Sequence, residues 1–279
     1  MSNKGNLGAE TVAFWREEGP EGVELLRGEY SDFRFAPHSH DRYLFALITR
    51  GALNIFDPHR SVVASAGQVV LYNYDQVHWG HTASKQGWAI LSMYVAPNVL
   101  HAISEEMGSP PCDTIGLPNV VVTDPALSGL FTALNTELDG GLHSRVCQSR
   151  VSEIIRYILA RHAEPQVQLP PARRESRAAL QAREFIKENY FTDVSLEQLA
   201  EICGVSRHWL VKVFKAAFGI PPYAFLLDVR VRQAACLLRE GQDIADVAHQ
   251  CGFSDQSHLT RMLKRALAIT PGRFQEHVH

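Results

Sequence analysis

An α+β multidomain protein is what this sequence predicts: an all-β unit first, then a pair of amphipathic helices, then an all-α carboxy-terminal domain. Three observations carry the prediction. Residues 30–96 break into short segments rich in Val, Ile and aromatic residues, separated by turn signals. From Asp124 the apolar residues switch to helical spacing. Residues 177–279 then contain an internal duplication at an offset of 48.

The strand segments are 33–36, 43–49, 53–57, 68–72 and 89–95, with turns at Arg50-Gly51, Asp57-Pro58-His59 and Ala66-Gly67. Many short strands with little room for helices between them predict an antiparallel sandwich or small barrel, assigned to residues 1–122. One helical stripe follows at Leu127, Leu130, Phe131, Leu134 and Leu138, and another at Val151, Ile154, Ile155, Ile158 and Leu159, with Gly140-Gly141 between them. Such stripes either pack on the β unit or form a seam between two copies of the chain; residues 123–163 are expected to be a helical dimerisation segment. Pro165, Pro170 and Pro171 mark 164–176 as a linker.

Composition narrows the function. The 279 residues are 46% hydrophobic and 20% charged, which excludes disordered and fibrous chains. With 27 Lys plus Arg against 30 Asp plus Glu, the net charge of −3 gives no global positive field, so any contact with nucleic acid must be local. Residues 177–279 carry 13 basic and 11 acidic side chains, a weak asymmetry of the right sign. The first residues lack the apolar core of a signal peptide and no apolar run is long enough to cross a bilayer, so a cytoplasmic protein without membrane contact is expected. Cys112, Cys147, Cys203, Cys236 and Cys251 form no CxxC pair and read as reduced, structural thiols.

The duplication is the most informative feature. Residues 199–206 recur as 247–254, and Leu210, Lys215, Ile220 and Pro222 recur as Leu259, Lys264, Ile269 and Pro271 after one extra residue in the second turn. Each copy reads as helix, glycine turn, helix. In the first, Ser195 with Gln198 starts a helix, Gly204 stops it and Ser206 caps the next; in the second, Asp243, Gly252 and Ser254 do the same. Leu210, Phe214 and Phe218 face inward, leaving Arg207, His208, Val211, Lys212 and Lys215 outward. In the second copy Leu259 and Leu263 face the core, while Gln256, Ser257, His258, Thr260, Arg261 and Lys264 lie on flanks or faces that can be exposed. Helix-turn-helix units place their second helix in the major groove, where Arg, Gln and Lys read bases and neutralise phosphates. A helix from Pro222 to about residue 240 would hold the two readers apart.

The segment Pro222-x-x-Phe225-Leu226, Arg230-Val231, Ala234, Leu237-Leu238, then Ile244-Ala245-x-Val247-Ala248, Gly252-Phe253-Ser254-Asp255-Gln256-Ser257-His258-Leu259, Lys264 and Thr270-Pro271 resembles the AraC/XylS family of bacterial transcription regulators. The resemblance covers about the last hundred residues. It implies a seven-helix domain with two DNA-inserting helices, whose DNA-facing places fall on Arg207, His208, Val211 and Lys212, and on Gln256, Ser257, Thr260 and Arg261. The chain departs from the family pattern with Leu259 and Leu263 in place of Phe, Ala268 in place of Gly, and Phe274-Gln275 in place of Tyr-Arg. The family further implies double-stranded operator DNA and RNA polymerase as partners, a homodimer, an activating role and no enzymatic activity.

The amino-terminal half resembles the family's cupin-like sensor barrel through Pro37-His38-x-His40-Asp41-x-Tyr43, Gly51, Ala66-Gly67-Gln68 and Val77-His78-x-Gly80. A small effector is expected inside it, held by His38, His40, Asp41, Tyr43, Tyr72, His78 and Trp88, with Asn73 and Trp79 as further walls. The residues select neither a sugar nor an amino acid; Arg42, Arg50 and Arg60 would serve an anion. His38, His40 and His78 stand where metal cupins carry ligands, but the acidic ligand a few residues later is replaced by Tyr43, Leu44 and Phe45, and Asp41 sits too early. No metal or other cofactor is therefore expected. The rival reading, a metal-dependent cupin enzyme with a helical appendage, would require one.

Overall fold

The computed structural model describes residues 9–16, 22–58, 60–109, 115–139, 145–165 and 174–278. The chain begins with strands β1 (Ala9–Arg16), β2 (Val23–Tyr30), β3 (Arg34–His38), β4 (Tyr43–Phe56), β5 (Ser61–Ser65), β6 (Val69–Tyr72), β7 (His78–Thr82) and β8 (Trp88–Val95). These strands pair antiparallel, β1-β2-β8-β4-β6, with β10 (Val121–Val122) at the far edge. Strand β4 joins the two halves of the barrel: its start pairs with β8 and β6, its end with β5 and β7, and β7 pairs onward with β3. The turn expected at Arg50-Gly51 is instead a bend within β4. The register with β8 shifts between Ile48 and Arg50, and Gly51 has φ +72°. A Cβ there would lie 2.1 Å from the Gly87 carbonyl oxygen, so glycine serves both the dihedral and the close approach.

Alternation along the strands sorts their side chains into two cores. Tyr43, Phe45, Leu47, Val69, Leu71, Leu91 and Met93 point outward from the barrel and join one cluster. Leu44, Ala46, Ile48, Val70, Tyr72 and Ile90 point inward and form the other. Helices α1 (Pro97–Glu106), α2 (Pro125–Asp139) and α3 (Arg145–His162) cover the outward set. Leu127, Phe131, Leu134, Leu138, Val151, Ile154, Ile155 and Ile158 are buried there. The stripes assigned to a seam between copies thus pack inside this chain, where each large apolar side chain contributes about 1.5–3 kcal/mol. A two-residue ladder joins β9 (Ile115–Gly116) to β11 (Glu164–Pro165), so the start of the expected linker is paired. Residues 166–173, Gly140-Gly141 and Cys112 lie outside the described residues.

The carboxy-terminal domain has the seven helices the resemblance implied: α4 (Arg174–Asn189), α5 (Leu196–Ile202), α6 (Arg207–Phe218), α7 (Pro222–Arg239), α8 (Ile244–Gln250), α9 (Gln256–Leu267) and α10 (Pro271–Val278). Helix α7 is shared between its two halves: Phe225, Leu226 and Val229 enter the core around α6, and Val231, Ala234, Ala235 and Leu238 enter the core around α9. The caps are built as expected at Ser195, Ser206 and Asp243. The second recognition helix differs. Asp255, not Ser254, caps α9 by accepting the His258 N–H at 2.7 Å, while the Ser254 hydroxyl donates to Asp255. The extra residue in the second turn moves the cap by one position and brings in a stronger acceptor. No single helix among the described residues is long and apolar enough to cross a membrane.

Candidate effector chamber and nucleic-acid interface

The inward side chains of the barrel enclose a chamber of about 100 Å³. Its walls are apolar, with Leu44, Ala46, Leu53, Ile55, Val70 and Ile90 joined by Tyr30, Phe35 and Trp88. Trp88 stacks on Tyr30 with ring centroids 4.4 Å apart, and its Nε1–H is buried with no acceptor among the described residues. Six of the seven side chains expected to meet an effector line this space: His38, His40, Asp41, Tyr72, His78 and Trp88. Tyr43 does not. Its ring points outward, and its hydroxyl donates to the Ile115 carbonyl at 3.0 Å and accepts the Ile115 N–H at 3.3 Å, anchoring β9. Trp79 lines the chamber, whereas Asn73 hydrogen-bonds Leu117 and Gln76 instead. Arg42 reaches the mouth, while Arg50 pairs with Glu29 and Arg60 with Asp57.

At the mouth three imidazoles meet. His38 on β3 is the cross-strand partner of His78 on β7, and His40 stands in the loop just after β3. Ring centroids are 4.5 Å apart for His38 and His78, 4.9 Å for His38 and His40, and 5.1 Å for His40 and His78. His38 Nδ1 lies 2.7 Å from the Ala36 carbonyl and His78 Nδ1 2.9 Å from the Gln76 carbonyl. His78 also stacks on Tyr72 at 3.8 Å. Burial holds all three rings below the usual histidine range. Their mutual repulsion adds to this at His40 and His78, as do Arg232 and Arg239 at His40.

The roof of the chamber comes from the other domain, which reading the sequence did not anticipate. Ala266 and Leu267, at the end of α9, and Phe274 of α10 close the space, and Arg239 of α7 stands over the Phe274 ring at 5.4 Å. The departure to Phe274 therefore puts an apolar ring where the chamber needs a lid. Polar contacts fix the lid in place. Ser39, between His38 and His40, donates its N–H at 3.0 Å and its hydroxyl at 2.6 Å to the buried carboxylate of Asp228 on α7. Arg239 pairs with Glu24 at 2.8 Å. Asp75 accepts from Arg232 at 2.8 Å and from Lys187. Burial works to raise the Asp75 pKa, but the two cations outweigh it and hold the carboxyl below its ordinary range.

The recognition helices keep their polar faces open. Arg207, His208, Lys212 and Lys215 are exposed on α6, and Val211 is half-buried. Gln256, Ser257 and Arg261 are exposed on α9, and Thr260 and Lys264 are half-buried. Leu210, Phe214, Leu259 and Leu263 are buried beneath them. Arg207 pairs with Glu197 on the surface, and the Thr260 hydroxyl donates back to the Gln256 carbonyl at 2.8 Å.

A family model described as an AraC-like ligand binding domain matches residues 21–159, and one described as a helix-turn-helix domain matches residues 199–277. The chain belongs to the AraC-type family of transcription regulators. Among relatives of this family, it is 26% identical over 241 residues to the uncharacterized HTH-type transcriptional regulator YbfI of Bacillus subtilis, covering 85% of this chain and 86% of that one. It is 24% identical to the probable transcriptional regulator LumQ of Photobacterium leiognathi, covering 85% and 90%. In fold it resembles ToxT of Vibrio cholerae. An apo ToxT variant superposes with a TM-score of 0.61 at 12% identity, covering 95% of this chain and 100% of that one. Wild-type ToxT bound to an unsaturated fatty acid gives 0.57 at 12% identity, covering 93% and 97%. The AraC-type assignment makes this a transcriptional regulator with an amino-terminal ligand-binding domain and a helix-turn-helix DNA-binding domain.

Proposed function

We propose that this regulator switches by competition between a small effector and its own DNA-binding domain for the mouth of the barrel. The observation that carries this reading is the shared chamber: the barrel supplies the walls and α9–α10 supply the roof. An apolar cavity of about 150 Å³ binds a molecule the size of benzene. The docked chamber, at about 100 Å³, is smaller, so an effector larger than a few heavy atoms fits only when Leu267 and Phe274 move aside. Such a ligand binds the released arrangement better than the docked one, which is the differential affinity that linkage requires.

The chemistry of the chamber favours an apolar body with an anionic or acceptor head. The walls are hydrocarbon and aromatic, the Trp88 Nε1–H lacks an acceptor, and Arg239 bridges to Glu24 across the domain boundary. A ligand carboxylate would replace Glu24 on Arg239 and so weaken the docking. ToxT, the structural neighbour, has been solved with an unsaturated fatty acid and with (E)-4-(8-methylnaphthalen-1-yl)but-3-enoic acid, both carboxylic acids on apolar bodies. Release would free the two helix-turn-helix units to meet successive major grooves through Arg207, His208, Val211, Lys212 and Lys215 and through Gln256, Ser257, Thr260, Arg261 and Lys264. The released chain acts as a homodimer that recruits RNA polymerase and activates transcription.

The test pairs two measurements across a panel of carboxylic acids: thermal shift of the full chain, and affinity for its own upstream DNA by mobility shift. A supporting acid raises the melting temperature, changes DNA affinity, and lengthens a spin-label distance between barrel and helical domain. An acid that stabilises the chain yet leaves both DNA affinity and that distance unchanged would refute the competition.

A further inference from the structure

We propose that His38, His40 and His78 form a three-nitrogen site for a divalent transition metal of the zinc class, with an open fourth position facing the chamber. The inference stands apart from the effector reading and needs only the local geometry. One ring nitrogen from each histidine lies within 4.8 Å of the others. Tetrahedral zinc with Zn–N of about 2.0–2.1 Å needs nitrogens roughly 3.3 Å apart, so small side-chain rotations close the set. The backbone pairs His38 on β3 directly with His78 on β7, and the loop that follows β3 brings the His40 ring to within 4.9 Å of His38 and 5.1 Å of His78, centroid to centroid.

The outer contacts are those of a prepared site. Histidines that bind metal commonly donate their second ring N–H to a backbone carbonyl, which fixes the tautomer and leaves the other nitrogen's lone pair for the ion. His38 and His78 both do this through Nδ1, to Ala36 and Gln76, which leaves Nε2 of each ring as the atom free to ligate. The missing acidic ligand, which counted against a metal in the sequence, is not required. Three histidines with an open position are a sufficient zinc set, and the open position would take water or the anionic head of a ligand. Borderline metals suit imidazole better than hard cations do, so magnesium and calcium are excluded by donor type.

Chelator-stripped full-length protein titrated with cobalt(II) tests the site, because tetrahedral cobalt absorbs in the visible. The expected result is one cobalt per chain, displaced by zinc, with the band lost in His78→Ala and in His40→Ala. The His249→Ala variant should keep the band, since that side chain is exposed on α8 and does not line the chamber. A band that survives His78→Ala, that disappears in His249→Ala, or that never forms overturns the proposal. Should the histidine variants fail to fold by circular dichroism, X-ray absorption of the zinc-loaded wild-type chain decides. A shell containing three imidazole nitrogens at about 2.0–2.1 Å supports the site, and an oxygen-dominated shell rules it out.

Discussion

The two helix-turn-helix units share a sequence pattern but meet the barrel differently. Helix α6 ends at Gly219, φ +78°, and a Cβ there would lie 2.0 Å from Pro58 Cγ of the barrel. Helix α9 ends at the equivalent Ala268, φ +61°, which is buried in the inner barrel cluster beside the chamber. Both units therefore rest on the sensor by the carboxy-terminal end of a recognition helix. The first abuts Pro58; the second closes the chamber. The duplicated reader has become one passive support and one lid.

Five substitutions, one of them paired with a second-site change, would break or sharpen this contrast. The largest effect is expected from Asp228→Ala, which leaves the Ser39 N–H buried without an acceptor and removes a partner of Arg232. Loss of about 3 kcal/mol of docking should appear as a lower melting temperature and a longer barrel-to-helix spin-label distance, with the isolated fold of each domain intact by circular dichroism. Next, Gly219→Ala combines a left-handed alanine with the overlap on Pro58, costing about 2 kcal/mol or more. Adding Pro58→Gly should recover the overlap part but not the dihedral part, and a double-mutant cycle in thermal denaturation separates them. Arg261→Ala should weaken specific DNA binding by about 1–3 kcal/mol if it reads a base; Lys212→Ala, if it meets phosphate, should instead reduce the salt slope by about one. Matched and scrambled sites at several salt concentrations check both. Smallest is Ala268→Gly, which relieves a left-handed non-glycine residue and should raise stability by up to about 1 kcal/mol in calorimetry, while opening the lid slightly.

The helical domain was legible because its signals are local. Caps, glycine stops and 3.6-residue stripes lie within a few residues of one another, and only the extra residue in the second turn misplaced a cap, from Asp255 to Ser254. The barrel was less legible. Both faces of β4, β6 and β8 are covered, the outer by α1–α3 and the inner by the chamber cluster, so their strands read as continuous apolar runs without alternation. Tyr43 shares with His38, His40 and Asp41 the motif that carries the resemblance, but it opens β4 on the outward face, and in such a run one residue of parity separates the two faces. Strands β2, β5 and β7 carry too few consecutive apolar residues to announce themselves, and β1, with its run Val12-Ala13-Phe14-Trp15, lies before the segment in which strands were expected. The roof could not be read at all. Ala266, Leu267 and Phe274 are about two hundred residues from the walls they complete, and each looks like an ordinary core residue of its own domain.

Because one side of the chamber belongs to the reading head, ligand preference and target preference are not separable inheritances. A chimaera carrying this barrel on another double-reader domain would receive a different ceiling, with a different residue in place of Phe274 and a different cation in place of Arg239. Its spectrum of inducers should shift even though every inward-facing barrel residue is unchanged. Drift in either half of such a protein is felt as altered chemical taste, so the halves are expected to evolve as a matched pair.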